Sequence, residues 1–293
     1  MKGRTRTIAS ISGIALVAVA FVGCAGNMKS TRLEPSKLER TKLGRPMDFA
    51  VMRAPEAEGV DPAELPVFLF LHGMGDDHLA LDRHGVSDLL HQAMIEGRIP
   101  LAHLVLPDGE DGYFVNWYDG SRPYEDYVLE DVLPAAEEML EVSPDRDRRH
   151  VIGVSMGGQA ALRIGLGHPE LFGSAASLSS IVLTREDALE MLDNPLVRWL
   201  TDIPEAFGDG TDLEFSDSQN AYVLVERRPP ELEQKVFLAA GTEEWSKFRE
   251  TSGAFAEHLA ELGVDYRFMV YQGGHGWSDW IPVIERAMTY ATR

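Results

Sequence analysis

The nine residues HVIGVSMGG at positions 150–158 decide how this chain is read. An apolar run short enough for a buried strand meets Gly153-Val154-Ser155-Met156-Gly157, and a small-residue run with helical spacing follows at 160–166. A serine on so tight a strand-to-helix turn has strained dihedrals, and glycines two positions to either side let neighbouring backbone pass close. The turn pushes the hydroxyl outward. It also leaves the backbone N–H of Met156 free at a helix N-terminus, where hydrogen bonding and the helix dipole stabilise a developing oxyanion. Ser155 is therefore a candidate nucleophile.

On either side of this segment, short apolar runs alternate with longer amphipathic ones, and neither an internal repeat nor a low-complexity block interrupts them. Such alternation predicts an α/β fold, a mainly parallel central sheet with helices on both faces. Strands are expected at 49–53, 67–71, 101–106, 150–154, 174–178, 235–240 and 266–271. Several are near-continuous apolar runs, as strands buried on both faces should be. Helical spacing recurs at Val128, Val132, Ala136, Met139 and Leu140, where Pro134 predicts a kink, and again at Phe255, Leu259 and Leu262. The stretch 181–234 carries Pro195, Pro204, Pro229 and Pro230 and many acidic residues. It reads as a partly helical insertion before the acid-bearing strand, packed over the carboxyl ends of the strands, where open sheets bind ligands.

With 293 residues, 44% of them hydrophobic and 25% charged, the chain suits one globular catalytic domain rather than a disordered or fibrous protein. The single cysteine, Cys24, excludes an intramolecular disulfide and a cysteine nucleophile in the folded part. A net charge of −20 argues against nucleic acid as a partner, because phosphate binding needs a basic footprint. Lys2, Arg4 and Arg6 precede an apolar stretch at 8–22 that ends in Gly23-Cys24, the pattern of a secretory signal peptide over 1–23. Phe21-Val22-Gly23-Cys24 resembles the lipobox of bacterial lipoproteins, which implies a lipidated Cys24 and a lipid-anchored place in the bacterial cell envelope. Residues 24–45 then read as a polar, basic tether ahead of a catalytic domain at 46–293. The body from Pro46 onward carries a net charge of −27, so a basic tether would lie against anionic headgroups while the body is pushed away.

A serine at neutral pH is a poor nucleophile until an imidazole takes its proton. His275 follows the last expected strand inside Gly273-Gly274-His275-Gly276, at the carboxyl edge where a base facing Ser155 would sit. His258 lies within a helical pattern and His168 precedes Pro169 at a helix end, so both fit the role less well. The acid that orients the base falls in the loop Gly241-Thr242-Glu243-Glu244 after strand 235–240, with Glu244, Glu243, Asp265 and Asp279 as candidates. His72, Asp76, Asp77 and His78 could be read as metal ligands. A serine relay needs no metal or cofactor, however, and the intervening glycines suit a backbone donor better. Trp117, Tyr118, Trp245, Trp277 and Trp280 are candidates to line a substrate pocket, with Trp117 and Trp277 nearest the catalytic loops.

The run at 149–179 resembles the putative esterase family of α/β-hydrolases, which includes S-formylglutathione hydrolases, feruloyl and acetyl-xylan esterases, enterochelin esterases and mycolyltransferases. The likeness continues through Leu71-His72-Gly73-Met74-Gly75, Asn116-Trp117-Tyr118, Tyr124-Glu125-Asp126-Tyr127, His168-Pro169 and Gly273-Gly274-His275-Gly276-Trp277, in order and over about residues 47–292. It implies an α/β-hydrolase fold and a serine esterase that works through an acyl-enzyme, on a small ester or acylated carbohydrate. The resemblance assigns Ser155, His275 and Glu244 to a triad and the backbone N–H of Met74, with that of Met156, to the oxyanion hole. Aspartate is usual in the family where Glu244 stands, so the triad would be Ser-His-Glu. An acyltransferase of the mycolyltransferase type, and a non-catalytic envelope-binding protein on the same fold, are the other readings.

Overall fold

The computed structural model describes residues 31–293. The expected signal segment, Cys24 and the first part of the expected tether lie outside the described residues. Eight strands form one sheet: β1 (Glu34–Leu38), β2 (Met47–Met52), β3 (Val67–Leu71), β4 (His103–Pro107), β5 (Arg149–Val154), β6 (Ser174–Leu178), β7 (Lys235–Gly241) and β8 (Asp265–Tyr271). Their order is β1-β2-β4-β3-β5-β6-β7-β8, with β1 and β2 antiparallel to their neighbours and β4 through β8 parallel. β3, β4, β5 and β6 are buried along nearly their whole length, which is why several of the strands read as near-continuous apolar runs.

The helices, in chain order, are α1 (Ala80–Arg83), α2 (Val86–Ile95), α3 (Tyr124–Asp126), α4 (Leu133–Leu140), α5 (Met156–Gly167), α6 (Arg185–Asp193), α7 (Pro195–Leu200), α8 (Ile203–Phe207), α9 (Leu213–Ser218), α10 (Ala221–Arg227), α11 (Ser246–Glu261) and α12 (Trp277–Ala291). Leu90 of α2 with Ile284 and Met288 of α12 packs against one face of the sheet. Ala136 of α4, Ala160 and Ile164 of α5, and Phe255 and Leu259 of α11 pack against the other. The sheet is thus covered on both sides. Where a kink is expected at Pro134, a π-helical stretch, Tyr127–Val132, runs into α4 with the proline in its first turn. Helices α6 to α10 fill the interval between β6 and β7, so the insertion expected at 181–234 is mostly helical.

One expectation is corrected. Residues 24–45 do not form a tether throughout, because from Glu34 the chain adds edge strand β1 to the sheet, with Glu34 opposite Val51 and Leu38 opposite Met47. Three of its basic residues, Arg32, Lys42 and Arg45, pair with carboxylates of the acidic body. Arg32 Nε lies 2.8 Å from Asp88, Arg45 lies 2.6 Å from Glu110, and Lys42 pairs with Glu130.

The strand order positions the site. β3 lies between β4 and β5, so the chain moves outward from β3 to β4 and then returns past it to β5. Loops leaving the carboxyl ends of β3 and β5 therefore part in opposite directions and leave a crevice, the general ligand position of such sheets.

Candidate active site

Ser155 stands at that crevice, directly after β5 and immediately before α5. Its φ of 54° and ψ of −118° are strained for a residue with a side chain. Packing over-determines the turn: Ser155 N–H donates to the Leu178 carbonyl at 2.8 Å, and a Cβ on Gly157 would fall 2.1 Å from the Leu71 carbonyl oxygen. A Cβ on Gly153 would likewise fall 2.1 Å from the Gly157 carbonyl oxygen, so neither glycine can be exchanged without moving backbone. Because α5 begins at Met156, the first N–H groups of the helix have no carbonyl one turn back to bond.

His275 reaches the serine from the turn after β8. Its Nε2 lies 2.9 Å from Ser155 Oγ and its Nδ1 lies 3.2 Å from Glu244 Oε1. Phe248 stacks on the imidazole at 4.8 Å and Trp280 meets it edge-on at 5.0 Å, which fixes the ring plane. The Glu244 side chain is fully buried. Burial opposes its charged form, but hydrogen bonds with His275, Ser179, the Gly241 N–H and Tyr271 outweigh burial and hold its carboxyl below the usual glutamate range.

Three side chains outside the triad expected from the sequence complete this arrangement. Tyr271, the last residue of β8, donates to Glu244 Oε1 at 2.9 Å, and its hydroxyl also lies 2.7 Å from Ser179 Oγ. Trp280 Nε1 in turn donates to Ser179 Oγ at 2.9 Å. The carboxylate oxygen facing His275 is therefore fixed from two sides. The sequence signal for Tyr271 was its place at a strand end just before the Gly273-Gly274 turn; Ser179 carried none beyond following β6.

The other candidate acids are elsewhere engaged. Glu243 is exposed and accepts from Gln272 at 2.6 Å, Asp279 accepts the Gly274 N–H at 2.9 Å and so ties down the histidine loop, and Asp265 accepts from Tyr290 at 2.5 Å. A second serine–histidine contact, Ser174 Oγ to His150 Nδ1 at 3.0 Å, lies at the amino ends of β6 and β5. Both residues are buried in the sheet, away from the carboxyl edge, and burial together with Lys235 pushes His150 down to about 3.

After β3, Gly73 passes so near the nucleophile that a Cβ on it would lie 3.5 Å from Ser155 Cβ. His72 is buried, and desolvation lowers its pKa despite the nearby carboxylates. Its Nε2 accepts the Gly109 N–H at 3.0 Å, which leaves Nδ1 to donate to the Gly73 carbonyl at 2.8 Å. Since carbonyl and N–H point oppositely across a trans peptide, the Met74 N–H is turned away from His72. The residues considered as metal ligands are engaged separately: Asp76 pairs with Arg83 and His84 and accepts from Trp277 Nε1, while His78 faces Asp108 at 3.4 Å.

The two tryptophans favoured as pocket walls differ. Trp117 is 6% exposed, sits within the core, donates to the Gly112 carbonyl, and carries the Arg122 guanidinium on its face at 4.2 Å. Its ring packs within the core. Trp277 is half-buried, stacks with His84 at 5.1 Å and couples α12 to the loop after β3 through Asp76.

A strained serine at the carboxyl edge of a doubly covered parallel sheet, bonded to a histidine that is bonded to a carboxylate, defines a serine hydrolase of the α/β-hydrolase fold. The family model described as "Putative esterase" matches residues 41–290, and the chain belongs to that family. The chain is similar to an acetyl esterase of Caldicellulosiruptor saccharolyticus, with 25% identity over 64% of this chain and 71% of the relative. It is also similar to Esterase Rv1288 of Mycobacterium tuberculosis (strain ATCC 25618 / H37Rv), with 28% identity over 72% of this chain. The chain spans about half the length of that mycobacterial relative, 48%. Among solved structures, the Staphylococcus aureus fluorophosphonate-binding serine hydrolase FphF superposes with a TM-score of 0.71 at 19% identity, over 90% of this chain and 100% of that one. That likeness is one of fold.

Proposed function

We propose that this protein hydrolyses carboxylic esters with Ser155 as nucleophile, His275 as general base and Glu244 as the acid that orients and stabilises the imidazolium. The observation that carries this reading is the unbroken hydrogen-bond line from Ser155 Oγ through His275 to Glu244 Oε1. As Ser155 Oγ bonds to the ester carbonyl carbon, its proton passes to His275 Nε2, and the carbonyl π-electrons move onto oxygen. The N–H groups of Met156 and Met74 receive that oxyanion, a kind of contact worth about 3 kcal/mol per donor in the transition state. The turned peptide after Gly73 supports the second donor. Collapse of the intermediate breaks the carbon–oxygen bond to the alcohol, which leaves with the proton from His275. Water then repeats the sequence on the acyl-enzyme, with the proton going again to His275 and Ser155 as the final leaving group. Trp277, which donates to Asp76 and meets Trp280 edge-on at 5.3 Å, is the pocket wall in this reading.

We further propose that Cys24 is lipidated and that the protein is held at the bacterial envelope, a reading that rests on residues 1–24 of the sequence. Labelling with a fluorophosphonate probe, mapped by mass spectrometry, tests the nucleophile without a guess at substrate. Modification should fall on Ser155, vanish in Ser155→Ala and drop sharply in folded His275→Ala. A folded wild-type protein that takes no label would sink the assignment and favour a binding role on this fold.

A further inference from the structure

Among the described residues, six other than glycine have φ in the left-handed region, a costly conformation for a residue with a side chain. Ser155 is the proposed nucleophile, Ser179 bonds Tyr271 beside Glu244, and Glu141 ends α4 in a common form of helix cap. The other three, Glu110 (47°), Tyr113 (58°) and Phe114 (53°), share one turn after β4. None of them belongs to the triad or to its supports.

Packing holds the turn in this form. A Cβ on Gly109 would fall 2.1 Å from the Phe114 ring, and one on Gly112 would fall 2.1 Å from the Tyr124 ring, so both rings lie against bare backbone. Glu110 is held by Arg45 at 2.6 Å and by the Tyr124 hydroxyl. Arg163, only 4% exposed, donates to the carbonyls of Tyr113 and Phe114 and pairs with Glu125 at 3.1 Å. A buried guanidinium is costly unless it is paired and hydrogen-bonded, and here the bonds that satisfy it hold the two strained aromatic residues.

Because β3 and β4 pair in parallel, this turn adjoins the loop after β3. Two contacts join them. The Gly109 N–H donates to His72 Nε2 at 3.0 Å, which leaves His72 Nδ1 to donate to the Gly73 carbonyl at 2.8 Å. Asp111 Oδ1 accepts the Gly75 N–H at 2.7 Å. The first contact fixes the peptide between Gly73 and Met74, and the second fixes the peptide between Met74 and Gly75. Both peptide planes that flank the Met74 Cα are thus tied to one turn. Since each plane is rigid, the Met74 N–H has its direction set by the Gly73 carbonyl, and the bond to Asp111 resists rotation from the other side.

We infer that the strained turn at 108–114 clamps the second oxyanion donor, and that Asp111, acting through the Gly75 N–H, is a positioning residue for the ester hydrolysis proposed above. The inference rests on that reading, with Ser155 as nucleophile and the Met74 N–H as donor. Donors stabilise an oxyanion most when they already point at it and need no rearrangement as charge develops. The segment Gly73-Met74-Gly75 has glycine on either side of the donor residue, so its own backbone restrains it little. A carboxylate makes a stronger bond to an N–H than a neutral acceptor does, and the three left-handed residues shape the turn that carries this one to Gly75.

The test compares Asp111→Ala and Asp111→Asn with the wild type on p-nitrophenyl hexanoate, with folding confirmed by circular dichroism. Asp111 is exposed, so neither change opens the core. Removing an oxyanion donor outright costs about a hundredfold to a thousandfold in kcat, and loosening one that stays on the chain should cost part of that. Asp111→Ala should therefore lower kcat about tenfold to fiftyfold and leave KM within about threefold. Asp111→Asn keeps an oxygen for the Gly75 N–H and should recover kcat to within about threefold of the wild type. The second readout is inhibition by an alkyl trifluoromethyl ketone. Ser155 Oγ adds to its carbonyl carbon, the serine proton passes to His275, and the carbonyl electrons move onto an oxygen held by the same donors. Asp111→Ala should weaken that inhibition by about the factor lost in kcat. Wild-type kcat in Asp111→Ala, a loss carried by KM, unchanged inhibition by the ketone, or a loss that Asp111→Asn does not recover would each overturn the inference. Failure of wild-type Ser155 to take a fluorophosphonate label would instead remove the reading beneath it.

Discussion

Glu244→Gln removes one charge and keeps the shape, and the surrounding donors set its effect on His275. Glu244 Oε1 faces His275 Nδ1 and the Tyr271 hydroxyl, and Oε2 accepts the Gly241 N–H at 3.0 Å. A glutamine amide has only one oxygen to share between them. If its nitrogen takes the Oε2 position, it confronts the Gly241 N–H, which the backbone cannot turn. If its nitrogen takes the Oε1 position, it confronts His275, and the imidazole relieves the clash by placing its proton on Nε2. That tautomer cannot accept the proton of Ser155.

The second orientation keeps the backbone bond, so it should prevail. In a Ser-His-Asp triad the wrong tautomer lowers kcat about ten-thousandfold, or about 5 kcal/mol at about 1.4 kcal/mol per factor of ten. A loss of about a thousandfold to ten-thousandfold is expected here, read as kcat on p-nitrophenyl hexanoate with folding confirmed by circular dichroism. Glu243→Gln, at an exposed carboxylate that meets only Gln272, should stay within about twofold. A folded Glu244→Gln that keeps more than about a tenth of wild-type kcat, or a larger loss in Glu243→Gln, would falsify the assignment of the acid.

Two further outcomes are expected. His150 is held down to about 3 from an ordinary value of 6.5, so below pH 6.5 the unfolded chain takes up a proton that the folded one refuses; stability should fall through that window by about 1.5–2 kcal/mol between pH 6.5 and 5. Urea unfolding at the two pH values checks this, and an undiminished difference in His150→Gln would assign the loss to other groups. Cys24→Ser, expressed in a bacterium that processes lipoproteins, should move the protein from the membrane pellet to the soluble fraction, since two or more acyl chains make a stable anchor and none does not; retention in the pellet would remove Cys24 as the anchor.

The parallel strands were legible where burial on both faces leaves an unbroken apolar run, as in Val67–Leu71. β1 was not. Its residues EPSKL hold a proline and two charges and alternate between half-buried and exposed, so what joins them to β2 is backbone pairing, which leaves no hydrophobic pattern. The same blindness turned a basic docking segment into a tether, because net charge reports composition and not which carboxylates lie opposite. Ser155 and His275 could be read locally, since each stands in a turn whose glycines answer a backbone demand. The Tyr271, Ser179 and Trp280 support could not, because β8, the end of β6 and α12 bring it together from separate parts of the chain.

Glu244, at a position where the resemblance implies an aspartate, shows how such support works. One more methylene should carry the carboxylate past the histidine unless the loop withdraws. Here the side chain curls back over its own turn, with Oε2 on the Gly241 N–H three residues earlier. A Cβ on Gly241 would lie 3.1 Å from Glu244 Cγ and 2.4 Å from the Gly273 carbonyl oxygen, so the missing side chain at 241 is the space into which the extra methylene folds. Tyr271 then bonds the other carboxylate oxygen, Oε1. The longer acid is therefore matched by its own loop and by a phenol from the neighbouring strand. Its hydrogen-bond partners, more than its length, decide whether it can hold His275 in the tautomer that accepts a proton from Ser155.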